Sequence, residues 1–134
     1  MTNIGIISGG GDLPIAIGSN LIKKNFKVFF FVIEEFYNHK IYNGFNVTLI
    51  KLKSAKKIIE SLKAKNIDNI IMAGNIKRPS ITDLSFDFQT FKLAKELLLK
   101  KTGDNSLLVS IKEFFLDNGF NYFDWKKHYP RRIL

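Results

Sequence analysis

The sequence predicts an α/β fold of three layers, in which helices cover both faces of a mostly parallel sheet of about five strands. Three observations lead to this prediction: short apolar runs of strand length, amphipathic stretches between them, and turn residues at the junctions. The chain has 134 residues, which indicates one domain over 1–134. Its longest apolar run, 28–33, is too short to span a bilayer and is typical of a buried strand.

The elements of the first half alternate regularly. Ile15, Ile17, Leu21 and Ile22 are expected on one side of the first helix, and Ser54 is expected to cap the second. The predicted strands are 3–8, 27–33, 47–51 and 68–73, and the predicted helices are 14–24 and 55–65. The second half is expected to contain helices at 88–101 and 106–117 and a short last strand at 121–123. Crossovers between parallel strands are right-handed.

Charge and composition narrow the function classes. A net charge of +9 attracts polyanions and anionic surfaces. The lysines are scattered over predicted helix faces, which favours solvated surfaces over a nucleic-acid site. The chain has no cysteine, which excludes disulfides and thiolate metal sites and is typical of a reducing compartment. The opening residues show no signal-peptide pattern, and His39 and His128 have no spacing that indicates a metal site.

A glycine loop follows the first predicted strand. Gly9, Gly10 and Gly11 leave room for a ligand beside the backbone, and Pro14 suits the start of a helix. Free N–H groups and the helix dipole favour an anion there. Because position 14 is proline, the loop does not match the dinucleotide fingerprint, and NAD binding is disfavoured. The loop predicts a phosphate site.

A second loop, 74–80, leaves the carboxyl end of the fourth predicted strand. If the first and fourth strands are neighbours, Lys77 and Arg78 face the same crevice as the glycine loop. The Arg78 guanidinium is suited to bidentate contact with a phosphate.

Each candidate residue has a structural alternative. Asp12 either caps the first helix or takes part in chemistry, and its charge repels a phosphate unless a metal or sugar hydroxyl intervenes. Lys77 and Arg78 are either ligand-binding residues or ordinary loop cations. Asp104 is either an N-cap or a ligand. The aromatic residues near the end either pack a terminal strand or form a docking surface; they are Phe123, Trp125 and Tyr129.

Three segments in this order resemble a known family. They are Gly9-Gly10-Gly11-Asp12-Leu13-Pro14, the stretch 73–80 (AGNIKRPS) and the stretch 103–108 (GDNSLL). In sequence and spacing they are similar to the N-terminal domain of bacterial UDP-2,3-diacylglucosamine pyrophosphatases of the LpxI type. The resemblance extends along nearly the whole chain.

The resemblance implies a Rossmann-like domain of a cytoplasmic hydrolase in lipid A biosynthesis. Such enzymes split the diphosphate of UDP-2,3-diacylglucosamine into lipid X and UMP with a divalent cation such as magnesium. It implies that Gly9, Gly10, Gly11 and Asp12 line the substrate cleft, that Lys77 and Arg78 hold negative oxygens, and that Asp104 is a further cleft residue. It assigns no catalytic residue and no metal ligand within this chain, and it leaves open the oligomeric state and peripheral contact with the inner membrane.

The sequence departs from the family in two respects. Asn105 stands where the family commonly has an aspartate, and the chain stops at Leu134, about where a C-terminal catalytic domain would begin. We therefore expect this chain to be incomplete for catalysis alone and to need that domain or a partner chain. Two other functions remain open: a non-catalytic module that binds uridine nucleotides, and a basic protein that binds nucleic acid or a membrane surface by charge.

Overall fold

The structure is a computed structural model that describes residues 2–51, 54–74 and 112–128. Its centre is a sheet of five strands in the order β3-β2-β1-β4-β5, and every neighbouring pair is parallel. The strands are β1 (Asn3–Ser8), β2 (Lys27–Ile33), β3 (Val47–Ile50), β4 (Asn69–Ala73) and β5 (Asn121–Tyr122). This confirms the predicted α/β fold class, and each strand lies within two residues of its predicted bounds.

Two apolar layers cover the sheet, one on each face. Side chains alternate between the faces along each strand, so Ile4 and Ile6 of β1 contribute to one core and Ile7 to the other. Phe30 belongs to the first core and Phe31 to the second, and both are wholly buried. Strands buried on both faces read as continuous apolar runs, which explains the stretch 28–33.

Helix α1 (Leu13–Lys23) packs on the first core. It buries Ile17, Gly18 and Leu21, as the helical spacing predicted for the two larger residues. Ile22 was expected on the same side but is 43% exposed. At 100° per residue, the position after Leu21 has already turned away from the sheet.

Helix α2 (Ala55–Ala64) covers the opposite face and buries Ile58, Ile59 and Leu62. Ser54 occupies the N-cap position, but its side chain makes no capping hydrogen bond, so this prediction was wrong in its chemistry. The Ser54 backbone is at ψ 56°, outside the extended region from which an N-cap hydroxyl normally reaches the first turn.

The loop between β2 and β3 folds back over the first core. It opens with a short 3-10 turn, Glu34–Phe36. Tyr42 and Phe45 then contact the Phe30 ring edge-on, with centroid distances of 5.4 and 5.1 Å. The loop therefore completes the layer that α1 begins.

The segment 112–128 contributes aromatic side chains to both cores. Residues 112–117 are helical and place Phe114 and Phe115 in the second core. Phe123 and Trp125 pack against the first core, which favours the packing interpretation of these aromatic residues. In the described ranges, no helix is long and apolar enough to cross a membrane.

Candidate functional site

The carboxyl ends of β1 and β4 lie side by side, as the crevice hypothesis requires. Ser8 is in register with Ala73, and the Gly9 backbone N–H donates a hydrogen bond to the Ala73 carbonyl oxygen at 2.9 Å. The chain runs from β1 outward through β2 to β3 and then crosses to β4 on the other side of β1. The sheet order therefore reverses between β1 and β4, which is where ligands bind in open α/β sheets.

Gly74, the residue directly after β4, lies against the glycine loop. Gly74 has a φ of +95°, and a Cβ at this position would lie 2.7 Å from the Gly10 carbonyl oxygen. The same Cβ would lie 2.8 Å from the Gly9 carbonyl carbon. Glycine is thus required at position 74 by both its backbone conformation and its neighbour. The second loop consequently begins against the glycine loop.

The glycine loop leads directly into α1. Asp12 occupies the N-cap position with φ −94° and ψ −11°, and its side chain makes no capping hydrogen bond. The capping interpretation of the Asp12 carboxylate was therefore wrong, because an N-cap side chain reaches the first turn from extended backbone. Asp12 and Gly11 are both exposed, and a Cβ built on Gly11 would have open space within 4 Å.

An anion at this position would meet a favourable helix end. The Asp12 carbonyl accepts the hydrogen bond of the Ala16 N–H, so Ala16 is the first bonded donor of α1. The preceding N–H groups, those of Leu13 and Ile15, have no acceptor within the helix. No acidic residue lies in the first turn. Among the described residues of this loop, Asp12 carries the charge that an anion would have to accommodate.

Beneath the glycine loop lie two buried hydroxyl groups. Ser8 is fully buried, and its hydroxyl donates to the Ile6 carbonyl oxygen at 3.3 Å. Tyr42 is 2% exposed, and its hydroxyl has no hydrogen-bond partner within the described chain. Burial raises the pKa of Tyr42, and the nearby Ser8 hydroxyl opposes this with a smaller lowering effect. Tyr42 was not among the predicted site residues, because nothing in the polar loop marks one tyrosine as buried.

The remaining candidates fall partly outside the described residues. Lys77, Arg78 and Asp104 lie there, as do Tyr129 and the predicted helix at 88–101. His39 is exposed, and the His128 ring stacks on Phe123 with centroids 5.3 Å apart. Within the part that the structure describes, no three His, Cys, Asp or Glu residues form a group that could hold a metal ion.

An all-parallel sheet with a glycine loop at its switch point is the architecture of many nucleotide-binding domains. A family model described as LpxI N-terminal domain matches residues 3–131. The chain therefore belongs to the LpxI N-terminal domain family, as its three motifs indicated.

A curated relative agrees with this family. UDP-2,3-diacylglucosamine pyrophosphatase LpxI of Caulobacter vibrioides is 28% identical over 123 residues, which cover 90% of this chain and 43% of that protein. The chain thus spans less than half the length of this relative.

Two solved structures show a more distant likeness. A phosphoribosylglycinamide formyltransferase from Anaplasma phagocytophilum has a TM-score of 0.46 and 14% identity, over 84% of this chain and 58% of that one. A short chain dehydrogenase family protein from Francisella tularensis has a TM-score of 0.37 and 20% identity, over 90% of this chain and 47% of that one. Both scores are low, and neither likeness bears on function.

Proposed function

We propose that this chain forms the substrate-cleft part of a UDP-2,3-diacylglucosamine diphosphate hydrolase of lipid A biosynthesis. The observation that supports the proposal most directly is the contact between the Gly9–Gly11 loop and Gly74 at the switch point, in a chain of the LpxI N-terminal domain family. Backbone N–H groups at the start of α1 bind the diphosphate in this proposal. Water adds to one phosphorus, the bridging P–O bond breaks, and each product, UMP and lipid X, keeps one phosphate.

The described residues fit a divalent cation only in part. Asp12 supplies one exposed carboxylate beside the loop, whereas magnesium is commonly held by one or two carboxylates together with substrate phosphates and waters. Asp12 is therefore the residue that would hold the ion against the diphosphate. When bound, such an ion neutralises phosphate charge and polarises the phosphorus centre. The remaining catalytic residues are expected from a second domain or a partner chain. The proposed location of the enzyme is the cytoplasm.

A titration of the purified chain with UDP-2,3-diacylglucosamine, with and without magnesium, tests this proposal. We expect binding that magnesium strengthens and no release of UMP in the same mixture. UMP release would show that the chain is a complete enzyme. Absence of binding to the lipid substrate and to UDP would contradict the proposed cleft.

The loop itself is tested by Gly10→Val. The Gly10 backbone does not have a positive φ, so valine adds no strain of that kind, and its branched side chain would occupy the space of a bound phosphate. We expect an unchanged circular dichroism spectrum and loss of diphosphate binding. Unchanged affinity would mean that the glycine loop is a turn that does not bind the phosphate.

A uridine-binding module without catalysis is the second candidate, because the free backbone N–H groups at the start of α1 can hold a phosphate without any catalytic side chain. It predicts that UDP binds as tightly as the acylated substrate. The proposed cleft predicts tighter binding of the acylated sugar, so competition between the two ligands separates these functions.

A further inference from the structure

A second hollow opens at the same edge of the sheet as the glycine loop, two strands away. We call it the β3 cavity; its volume is about 420 Å³. Glu34 directly follows β2, Lys51 directly follows β3, and Ser54 precedes α2, so the cavity lies beyond the carboxyl ends of β2 and β3. Its lining residues are Glu34, Leu49, Ile50, Lys51, Ser54, Lys57, Ile58 and Ser61.

The spacing of the strands places this cavity within reach of a ligand that begins at the glycine loop. β2 pairs with β1 and β3 pairs with β2. Neighbouring strands are about 4.8 Å apart, so the ends of β2 and β3 lie roughly 5 and 10 Å from the end of β1. A nucleoside attached to a phosphate at Gly9–Gly11 could extend along this edge as far as the cavity.

The cavity has the chemistry that a nucleoside requires. The Glu34 side chain is 45% exposed, and its carboxylate lies 3.9 Å from the Lys51 ammonium. An exposed pair at this distance is weak, so ribose hydroxyls can replace the lysine at the carboxylate. Leu49 is 47% exposed and offers an apolar surface for a flat base. The Ser54 hydroxyl, which caps no helix, is a further polar group.

The position of Glu34 has a general physical rationale. In the doubly wound folds that bind NAD, an acidic residue about 20 residues after the glycine loop accepts a hydrogen bond from the ribose 2′-hydroxyl. Glu34 occupies this place although the glycine loop lacks the dinucleotide fingerprint. Glu35 follows it in the same 3-10 turn, is exposed, and does not line the cavity.

From these observations we propose that the β3 cavity binds the nucleoside part of the nucleotide ligand, with Glu34 accepting hydrogen bonds from the ribose hydroxyls. This inference rests on the proposed function, because it takes the diphosphate to lie at the glycine loop. The nucleoside fixes the orientation of the diphosphate there.

Glu34→Gln tests the inference, and Glu35→Gln is its matched control. Both variants remove one negative charge from the same turn, so charge alone raises their affinities for UDP and pyrophosphate equally. Loss of the ribose hydrogen bonds acts in the opposite direction and affects UDP alone. We expect Glu34→Gln to weaken UDP about tenfold or more and not to weaken pyrophosphate, whereas Glu35→Gln weakens neither.

Calorimetry on the full chain measures these affinities, with 2′,3′-dideoxy-UDP as a third probe. The unmodified chain is expected to prefer UDP over the dideoxy analogue, and Glu34→Gln is expected to lose that preference. Equal UDP affinities for the two glutamine variants would overturn the inference, as would an unmodified chain that binds UDP no more tightly than pyrophosphate. In either case pyrophosphate binding would leave the proposed function standing. If the chain binds none of the three probes, both proposals are overturned.

Discussion

A Cβ on Gly74 would lie 2.7 Å from the carbonyl oxygen of Gly10. This approach joins the loop after β4 to the loop after β1, and the hydrogen bond from the Gly9 N–H to the Ala73 oxygen holds the same junction one residue earlier. At the base of the crevice, the backbone of Gly9 and Gly10 therefore lies directly against the backbone of Ala73 and Gly74. Its shape depends on a residue that contributes no side chain.

Gly74→Ala is expected to destabilise the protein more than its conformation alone requires. Gly119 also has a positive φ, +91°, but a Cβ there would meet nothing within 4 Å. Gly119→Ala therefore measures the conformational penalty of about 1–2 kcal/mol. The Gly74 variant adds the forced movement of Gly9 and Gly10, about 1–3 kcal/mol more. Urea unfolding of both variants measures the difference, and equal losses would mean that the loops separate freely.

Asp12→Asn is expected to change pyrophosphate affinity in opposite directions with and without magnesium. Without the ion, the Asp12 carboxylate repels the anion, and two unit charges 4 Å apart in water interact with about 1 kcal/mol. Removing the charge should therefore strengthen binding severalfold. With magnesium, the proposed site uses the carboxylate as a ligand, so its loss should weaken binding. Calorimetry in both buffers measures these affinities. A change of the same sign in both buffers would show that Asp12 does not bind the ion.

Tyr42→Phe and Tyr122→Phe are expected to shift stability in opposite directions at neutral pH. The buried Tyr42 hydroxyl has the Ser8 hydroxyl nearby but makes no hydrogen bond of normal geometry in the described chain, so its removal should raise the free energy of unfolding by about 1 kcal/mol. The Tyr122 hydroxyl donates to the Lys112 carbonyl oxygen at 3.1 Å, and its removal should lower that free energy by about 1 kcal/mol. Denaturant unfolding measures both. A loss in the Tyr42 variant would reveal a partner for its hydroxyl.

The element order was predictable because β1 to β4 are short apolar runs and the stretches that form α1 and α2 have apolar residues at helical spacing. Pairing of β1 with β4 was stated as a condition of the site, and the crossover through α2 fulfils it. The caps were not predictable, since Asp12 and Ser54 have the right chemistry in the wrong backbone conformation. The buried place of Tyr42 depends on how the loop 34–46 folds over Phe30, which local patterns do not encode.

Alkaline pH is expected to destabilise the protein through the same two tyrosines. Burial raises the pKa of Tyr42 and of Tyr122 above the ordinary value of 10. Above pH 10 the unfolded chain loses these protons while the folded chain retains them, so stability falls as pH rises. The full stability is present below pH 10. Each group contributes a slope of about −1.4 kcal/mol per pH unit until its folded-state pKa is reached.

Unfolding of the unmodified chain and of the Tyr42→Phe, Tyr122→Phe double variant, at pH 9 and pH 11, isolates this effect. Lysines titrate in the same range in both proteins, so their contribution cancels in the comparison. We expect the double variant to lose less stability between the two pH values. Equal losses would mean that the two hydroxyl groups ionise as easily in the folded chain as in the unfolded one.

Gly18→Ala is expected to destabilise the protein, although alanine is more favourable than glycine in a helix by about 1 kcal/mol. A Cβ on Gly18 would lie 2.2 Å from Cζ of Phe30. The Phe30 ring cannot move away easily, because Tyr42 and Phe45 contact it from the loop. Overpacking of this kind costs about 1–3 kcal/mol, which exceeds the gain in propensity.

A double-mutant cycle with Phe30→Leu separates the two contributions. Phe30→Leu alone leaves a cavity and destabilises the core. In its presence, Gly18→Ala has room for the methyl group, so it should become neutral or stabilising, and the two substitutions should show a favourable coupling of about 1–3 kcal/mol. Strict additivity would mean that α1 moves away from the sheet instead. In that case the start of α1 would shift with it, and diphosphate affinity would fall in the Gly18→Ala variant alone.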